Sequence, residues 1–248
     1  MMFVEEMFKM DVIYEGMLLN QATQHKERFK VIKLNSEHLP AVLDVQHQVF
    51  DNLKSKKTLQ PLTLDEFSHI TSGMGMLIGV FVEKKLIAYR ALLCPGDHVE
   101  NLGRDLNLTK EDQMKVVHQE ISCVLSDYRG NALQKQMGQL IMSEFEKVNY
   151  QYRYLCTTVH PNNLPSLTDK FSQGMFIRQL KEKYEGTIRY ILFKDLKANI
   201  ALDLTTIIAI VNEDIERQQK VLNQGYYGFE VVEQANETFI RFAKTSNY

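Results

Sequence analysis

The chain has 248 residues, 44% of them hydrophobic and 24% charged, a balance that excludes wholesale disorder, a collagen-like repeat and a disulfide scaffold. Lys plus Arg (29) nearly equals Asp plus Glu (31), for a formal net charge of −2, which gives no electrostatic footprint for nucleic acid. This length fits one or two domains with a core that needs no covalent staple.

The three cysteines, Cys94, Cys123 and Cys156, are far apart and each lies in or beside an apolar run. They read as buried, reduced thiols of a cytoplasmic protein. No CxxC pair or His/Cys spacing suits zinc, so no metal is expected. Acidic residues early in the N-terminus argue against a secretory signal. The longest apolar run, residues 74–82, falls far short of the ~18 residues that a membrane span needs.

Residues 1–28 give no clear pattern, and Met10 is an alternative start. Residues 29–34 alternate and predict a strand. Asn35-Ser36 then caps a helix running to Phe50, with Pro40 tolerated in its first turns. Thr63 with Glu66 three residues on predicts a second, short helix over 63–72. Residues 74–82 and 86–93 read as a hairpin, and 94–112 as a loop, on Pro95-Gly96, Asn101 and Gly103. A strand over 116–125 leads into a long helix, whose apolar positions Leu133, Met137, Leu140, Ile141, Phe145 and Val148 are spaced by three or four. A strand over 152–159 and a helix ending near Ser172, stopped by Gly174, come next. Residues 175–180 and 187–193 predict a closing antiparallel pair. After Lys197 an apolar run (207–211), a helix (213–223) and two short strands (229–233 and 238–243) complete a mixed α/β or α+β chain.

The most informative stretch is residues 124–133, Val-Leu-Ser-Asp-Tyr-Arg-Gly-Asn-Ala-Leu. A strand runs through a short loop into the N-terminus of an amphipathic helix. The first amides of a helix have no partner inside it, and its dipole is positive there, so the turn can receive an anion such as a pyrophosphate. Gly130 allows close backbone approach. The dinucleotide fingerprint and the P-loop both need residues that are absent here. An ordinary strand–helix turn is the alternative reading.

This stretch resembles the phosphate-binding motif of the GNAT N-acetyltransferases, Gln/Arg-x-x-Gly-x-Gly/Ala. Gly130 and Ala132 match, Arg129 fits a Tyr-Arg-Gly variant, and Asp127 stands where Gln or Arg is usual. A second match follows about thirty residues later, in Asn162-Asn163, Ser166 and Gly174-Met175-Phe176. The resemblance covers roughly residues 29–197. It implies a mixed α/β GNAT sheet with flanking helices, an N-terminal segment (1–28), and a C-terminal α+β extension (198–248). It also implies acetyl-CoA as co-substrate, held by Cys123, Val124, Leu125, Arg129, Gly130, Asn131, Ala132, Leu133, Asn162, Asn163 and Ser166. Direct acetyl transfer to a primary amine, without an acyl-enzyme, would follow, with a backbone amide near Cys123–Leu125 polarising the thioester. A non-catalytic acyl-CoA sensor or interaction module of the same fold is the alternative. The general acid that the resemblance places four residues before Gly174 would be a Tyr. Lys170 stands there, leaving Tyr184 as a substitute.

One reading does not depend on the resemblance. Strand alternation puts His118, Glu120 and Ser122 on one face of residues 116–125. A central strand covered on both faces is apolar on both. Either this face lines a wet cleft, with Glu120 or else His118 taking a proton from an amine, or it is half-exposed or internally satisfied. The extension after Lys197 is too apolar for a free tail. A two-strand unit is marginal alone, so it is expected to pack on the main domain or on a second copy of the chain.

Overall fold

The computed structural model describes residues 12–148, 151–184 and 186–246. The expectation for Met10 lies outside them. In chain order the elements are β1 (Val12–Leu19), β2 (Lys26–Lys33), α1 (Leu39–Asp51), α2 (Leu64–His69), β3 (Gly75–Val82), β4 (Lys85–Leu93), α3 (Leu102–Asp105), α4 (Lys110–Gln113) and β5 (Val116–Val124). They continue with α5 (Leu133–Val148), β6 (Tyr154–Val159), α6 (Leu164–Ser172), β7 (Phe176–Lys183), β8 (Thr187–Asp195), β9 (Leu202–Val211), α7 (Ile215–Asn223), β10 (Tyr227–Gln234) and β11 (Glu237–Thr245). The chain is thus a mixed α/β protein whose strands are flanked by helices. Among the described residues no helix is long and apolar enough to cross a membrane.

The chain divides into two compact units. The first holds the described residues up to Lys56, Pro61–Cys94 and residues 120–148. In it β1 to β4 form an antiparallel meander. Asn35 caps a 3₁₀ turn that leads into α1, and Thr63 and Glu66 form a capping box on α2. These caps satisfy amides that the first helical turn leaves unpaired. Helix α5 packs on β3 and β4. The core is built from Val31, Val42, Ile78, Ile87, Met137, Ile141 and Phe145, with Phe67 edge-on to Tyr89 at 5.7 Å. Gln46 satisfies the backbone of Leu62 in both directions, at 2.8 and 2.9 Å.

The second unit holds Lys57–Gln60, Pro95–Gln119 and the described residues from 151 on. There β5 pairs parallel with β6. The order continues through β8, β7, β10, β11 and β9, all antiparallel. Leu102, Val116, Tyr154, Cys156 and Ile191 form one apolar cluster.

Three stretches differ from the sequence reading. Residues 12–19 form a strand paired to β2, in a segment that showed no pattern. The 94–112 stretch contains α3 and α4, where a loop was expected. Asn101 caps α3 and also donates to the carbonyls of Gly96 and Gln113 (2.7 and 2.9 Å), while Thr109 caps α4. Strand β9 begins five residues earlier than the apolar run at 207, because Asp203, Thr205 and Thr206 satisfy one another locally.

Residues 202–245 are joined to β7 and β8 by buried polar groups. The Tyr190 hydroxyl donates to Gln218 Oε1 (2.6 Å) beside Asn212 Oδ1 (3.1 Å), and Gln218 Nε2 donates back to the carbonyls of Val211 and Asn212. Burial raises the Tyr190 pKa, which keeps the hydroxyl a donor. Replacing Tyr190 by Phe leaves buried acceptors without their proton. The expected cost is about 1–3 kcal/mol of unfolding free energy, measured by chemical denaturation. An unchanged midpoint would show that this network does not hold the extension.

Candidate functional site

Strand β5 ends where the Leu125 amide donates to the Ile87 carbonyl at 3.0 Å. That bond occupies Leu125 N–H, one of the amides expected to face a thioester. A 3₁₀ turn (Ser126–Tyr128) follows, then Gly130 with φ +82° and Ala132 with φ +55°. Two left-handed residues so close together turn the chain sharply, and the second lacks the freedom of glycine. At the start of α5 the Gln136 N–H donates to the Ala132 carbonyl at 3.0 Å. The amides of residues 133–135 precede it and have no carbonyl one turn back. Arg129, Gly130 and Ala132 are exposed at this turn, so the helix N-terminus is open to an anion.

The turn is held from the side by the β1–β2 hairpin. Asn131 Nδ2 donates to the Leu19 carbonyl and its Oδ1 accepts from the Leu19 amide, both at 2.8 Å; Nδ2 also reaches Tyr128 O at 3.1 Å. Gln21 N–H donates to Asp127 O (2.6 Å), and its side chain donates to Arg129 O (3.3 Å). Buried Tyr128 donates to Glu27 Oε2 at 3.2 Å and accepts from Asn20. Burial, then Glu27, raises its pKa. Asp127 accepts from the Ser126 hydroxyl at 3.0 Å. Nothing in the sequence pointed to Asn20, Gln21 or Glu27, which lie about a hundred residues upstream.

The β5 candidates divide by face. Glu120 and Ser122 are half-buried, and the Ser122 hydroxyl has no partner among the described residues. His118, 5% exposed, accepts the Leu102 amide on Nε2 at 3.1 Å; that ring nitrogen is thereby occupied. Cys123 is buried, and burial pushes its thiol up to about 12, so it stays protonated and poorly nucleophilic at neutral pH. Val124 is half-buried and Leu133 is in the core.

The remaining candidates belong to the second unit. Asn163 caps α6 through the Ser166 amide (3.2 Å) and donates to the Thr58 carbonyl (3.3 Å). Asn162 is exposed, and its amide donates to His160 Nδ1 at 3.1 Å. Lys170 is buried, with Nζ 2.6 Å from Gln119 Oε1 and 3.3 Å from Asp169. Tyr184 lies in the β7–β8 turn at φ +47°, its hydroxyl 3.2 Å from Thr158 Oγ1. Among the described residues no group of three or more His, Cys, Asp or Glu could hold a metal ion.

No protein-family model matches the chain, and no curated protein matches it in sequence. Solved structures do. An N-acetyltransferase from Staphylococcus aureus Mu50 superposes with a TM-score of 0.52 at 15% identity, covering 68% of this chain and 99% of its own. The ribosomal-protein-S18-alanine N-acetyltransferase from Escherichia coli gives 0.51 at 13% identity, covering 68% and 95%. The yncA protein from Salmonella typhimurium, solved with its cofactor acetyl-CoA, gives 0.51 at 10% identity, covering 71% and 98%. The fold is therefore that of the GNAT N-acetyltransferases. At these identities the likeness is one of fold.

The Asn131 side chain ties the turn to Leu19, a role that the sequence reading did not assign to it. Asn131→Ala is expected to cost about 1–3 kcal/mol, since it strips both backbone groups of Leu19 of a partner. Faster amide exchange at Leu19 would report the loss. Protection unchanged at Leu19 would mean that the strand holds the turn without Asn131.

Proposed function

We propose that the protein transfers an acetyl group from acetyl-CoA to a primary amine. The observation that carries this reading is the turn at 129–133, where a strand meets an open helix N-terminus through two left-handed residues. Backbone amides and the helix dipole suit a pyrophosphate there. The fold likeness to acetyltransferases supports it, including one solved with acetyl-CoA.

In this reaction the amine nitrogen attacks the thioester carbonyl. A C–N bond forms, the C–S bond breaks, and coenzyme A leaves as thiolate. An alkylamine near neutral pH is mostly protonated, so the nucleophile needs a base. Glu120 is our choice: it is half-buried on the polar face of β5, the strand that leads into the cofactor turn. His118 is second, because its Nε2 lone pair already accepts the Leu102 amide. The thiolate takes up a proton, for which Tyr184 is the candidate donor.

Acetyl-CoA at 100 times its dissociation constant is expected to stabilise the protein by ~2.7 kcal/mol, seen as a higher melting temperature. Desulfo-CoA should act almost as well, since the turn would hold phosphates. In Gly130→Val the added Cβ meets only Gln21 Nε2 at 3.5 Å, but the left-handed φ costs a β-branched residue about 1–2 kcal/mol. The variant is expected to fold and to lose the ligand shift. No shift in the wild type at millimolar acetyl-CoA would sink the assignment.

Glu120→Gln is expected to lower turnover at neutral pH by ~10²–10⁴-fold with acetyl-CoA affinity retained. Raising the pH should recover part of the loss, because more of the amine is then neutral. Normal turnover in Glu120→Gln with loss in His118→Ala would move the base to His118. Ligand binding without release of coenzyme A thiol from any amine would instead favour a non-catalytic acyl-CoA module.

A further inference from the structure

Arg189 on β8 is 4% exposed. Its only hydrogen bond among the described residues runs from Nη2 to the Lys57 carbonyl at 2.8 Å. Nε is buried without any partner. Among the described residues it makes no ion pair: Asp105 and Glu100 pair with Lys181 and Lys183, and Asp195 at the end of β8 pairs with Arg153. The guanidinium instead lies against the Tyr184 ring, 5.6 Å from its centroid. Burying an arginine against a ring and one carbonyl leaves most of its charge uncompensated.

The surroundings are also cationic. Burial, then Arg189 and then Lys57, lower the His160 pKa. His160 accepts the Asn162 amide on Nδ1, so the neutral ring carries its proton on Nε2 and presents a further donor. The Thr158 and Tyr184 hydroxyls meet at 3.2 Å beside this group. The wall they share is the 57–58 segment: Arg189 holds the Lys57 carbonyl, and Asn163 holds that of Thr58. The cationic group therefore adjoins the 160–166 turn that the sequence singled out. A guanidinium with Nε unpaired offers the forked donor geometry that fits a carboxylate.

We propose that Arg189, with Lys57 and His160, binds the carboxylate of a small ligand. Resting on the acetyl-transfer reading, that ligand is the amine acceptor, which makes the substrate class an amino acid or another amine bearing an acid group. The planar fork of the Arg189 guanidinium matches a carboxylate, and His160 and Tyr184 supply neutral donors around it.

The test uses the full chain. Each amino acid is compared with its own amide, which keeps the amine and lacks the carboxylate, as acceptor in acetyl transfer. The amino acids are expected to be preferred by at least about tenfold in kcat/KM, the range of a hydrogen bond to a charged group. Arg189→Met is expected to erase that preference. Its unfolding midpoint should match or exceed the wild type, because an unpaired buried charge has been removed; a fall would mark Arg189 as structural and overturn the proposal. A binding readout that needs no turnover is the His160 ring signal in NMR. N-acetylglycine, N-acetyl-L-glutamate or N-acetyl-L-phenylalanine should raise the His160 pKa, and their amides should not. Silence from all three acids overturns the carboxylate site, whether or not acetyl transfer occurs. A response to inorganic phosphate alone overturns it in favour of a phosphate ligand. A His160 response to the acids, with every amine left unacetylated, upholds the site and overturns the acetyl-transfer reading on which the substrate assignment rests.

Discussion

A turn that is to receive an anion has to keep its amides unbonded, and unbonded amides cannot hold a turn in shape. In this protein the shape is imposed from outside the turn. Asn131 spends its side-chain amide on both backbone groups of Leu19, in effect adding one residue of ladder to the end of β1. Gln21 fastens the carbonyls of Asp127 and Arg129. All these bonds engage carbonyls and side chains of the turn and leave the amides at the start of α5 untouched. The left-handed Ala132 is tolerated because the conformation on both sides of it is fixed.

This arrangement also explains which parts of the sequence were legible. Helix α5 shows itself through apolar spacing, and the caps Asn35 and Thr63 through local chemistry, because both signals lie within a few residues. Gly130 is readable for the same reason. The partner of Asn131 is 112 residues away, and no local pattern carries that information. The sequence marked Asn131 as a cofactor contact and gave no sign that its side chain also straps the turn to β1. The short helices α3 and α4 span four residues each, too short for any periodicity. They depend on Asn101, which is buried and bonded in three directions. The first half of β9 was hidden by Asp203, Thr205 and Thr206, which read as loop residues.

Strand β5 shows where alternation helps and where it stops. It separated Cys123 from Glu120 and Ser122, and Cys123 is indeed buried with a raised thiol pKa. It also grouped His118 with Glu120, yet these two differ in environment: His118 lies under α3 and satisfies the Leu102 amide, while Glu120 is half-buried. Gln119, on the face expected to be apolar, is a hub. It contacts Lys170 and Gln173 with its side chain, and its carbonyl accepts from Thr157. Alternation assigns faces, but the elements that later cover each face decide their polarity.

Among its described residues the second unit buries two cations, Lys170 and Arg189, and the comparison between them bears on function. Lys170 is compensated: Gln119 at 2.6 Å and the Asp169 carboxylate at 3.3 Å take up its charge, and Gln173 closes the ring by donating to Asp169. Such a group is part of the packing, and removing one member would leave the others unpaired. Arg189 lies in the same unit with a carbonyl and an aromatic ring as its contacts. Folding gains little from placing an arginine this way, and a methionine of similar length would fill the space at lower electrostatic cost. Within this unit one buried cation has a carboxylate beside it and the other has none among the described residues, so the uncompensated charge lies at Arg189. An anion from outside the chain is the partner whose charge would settle it.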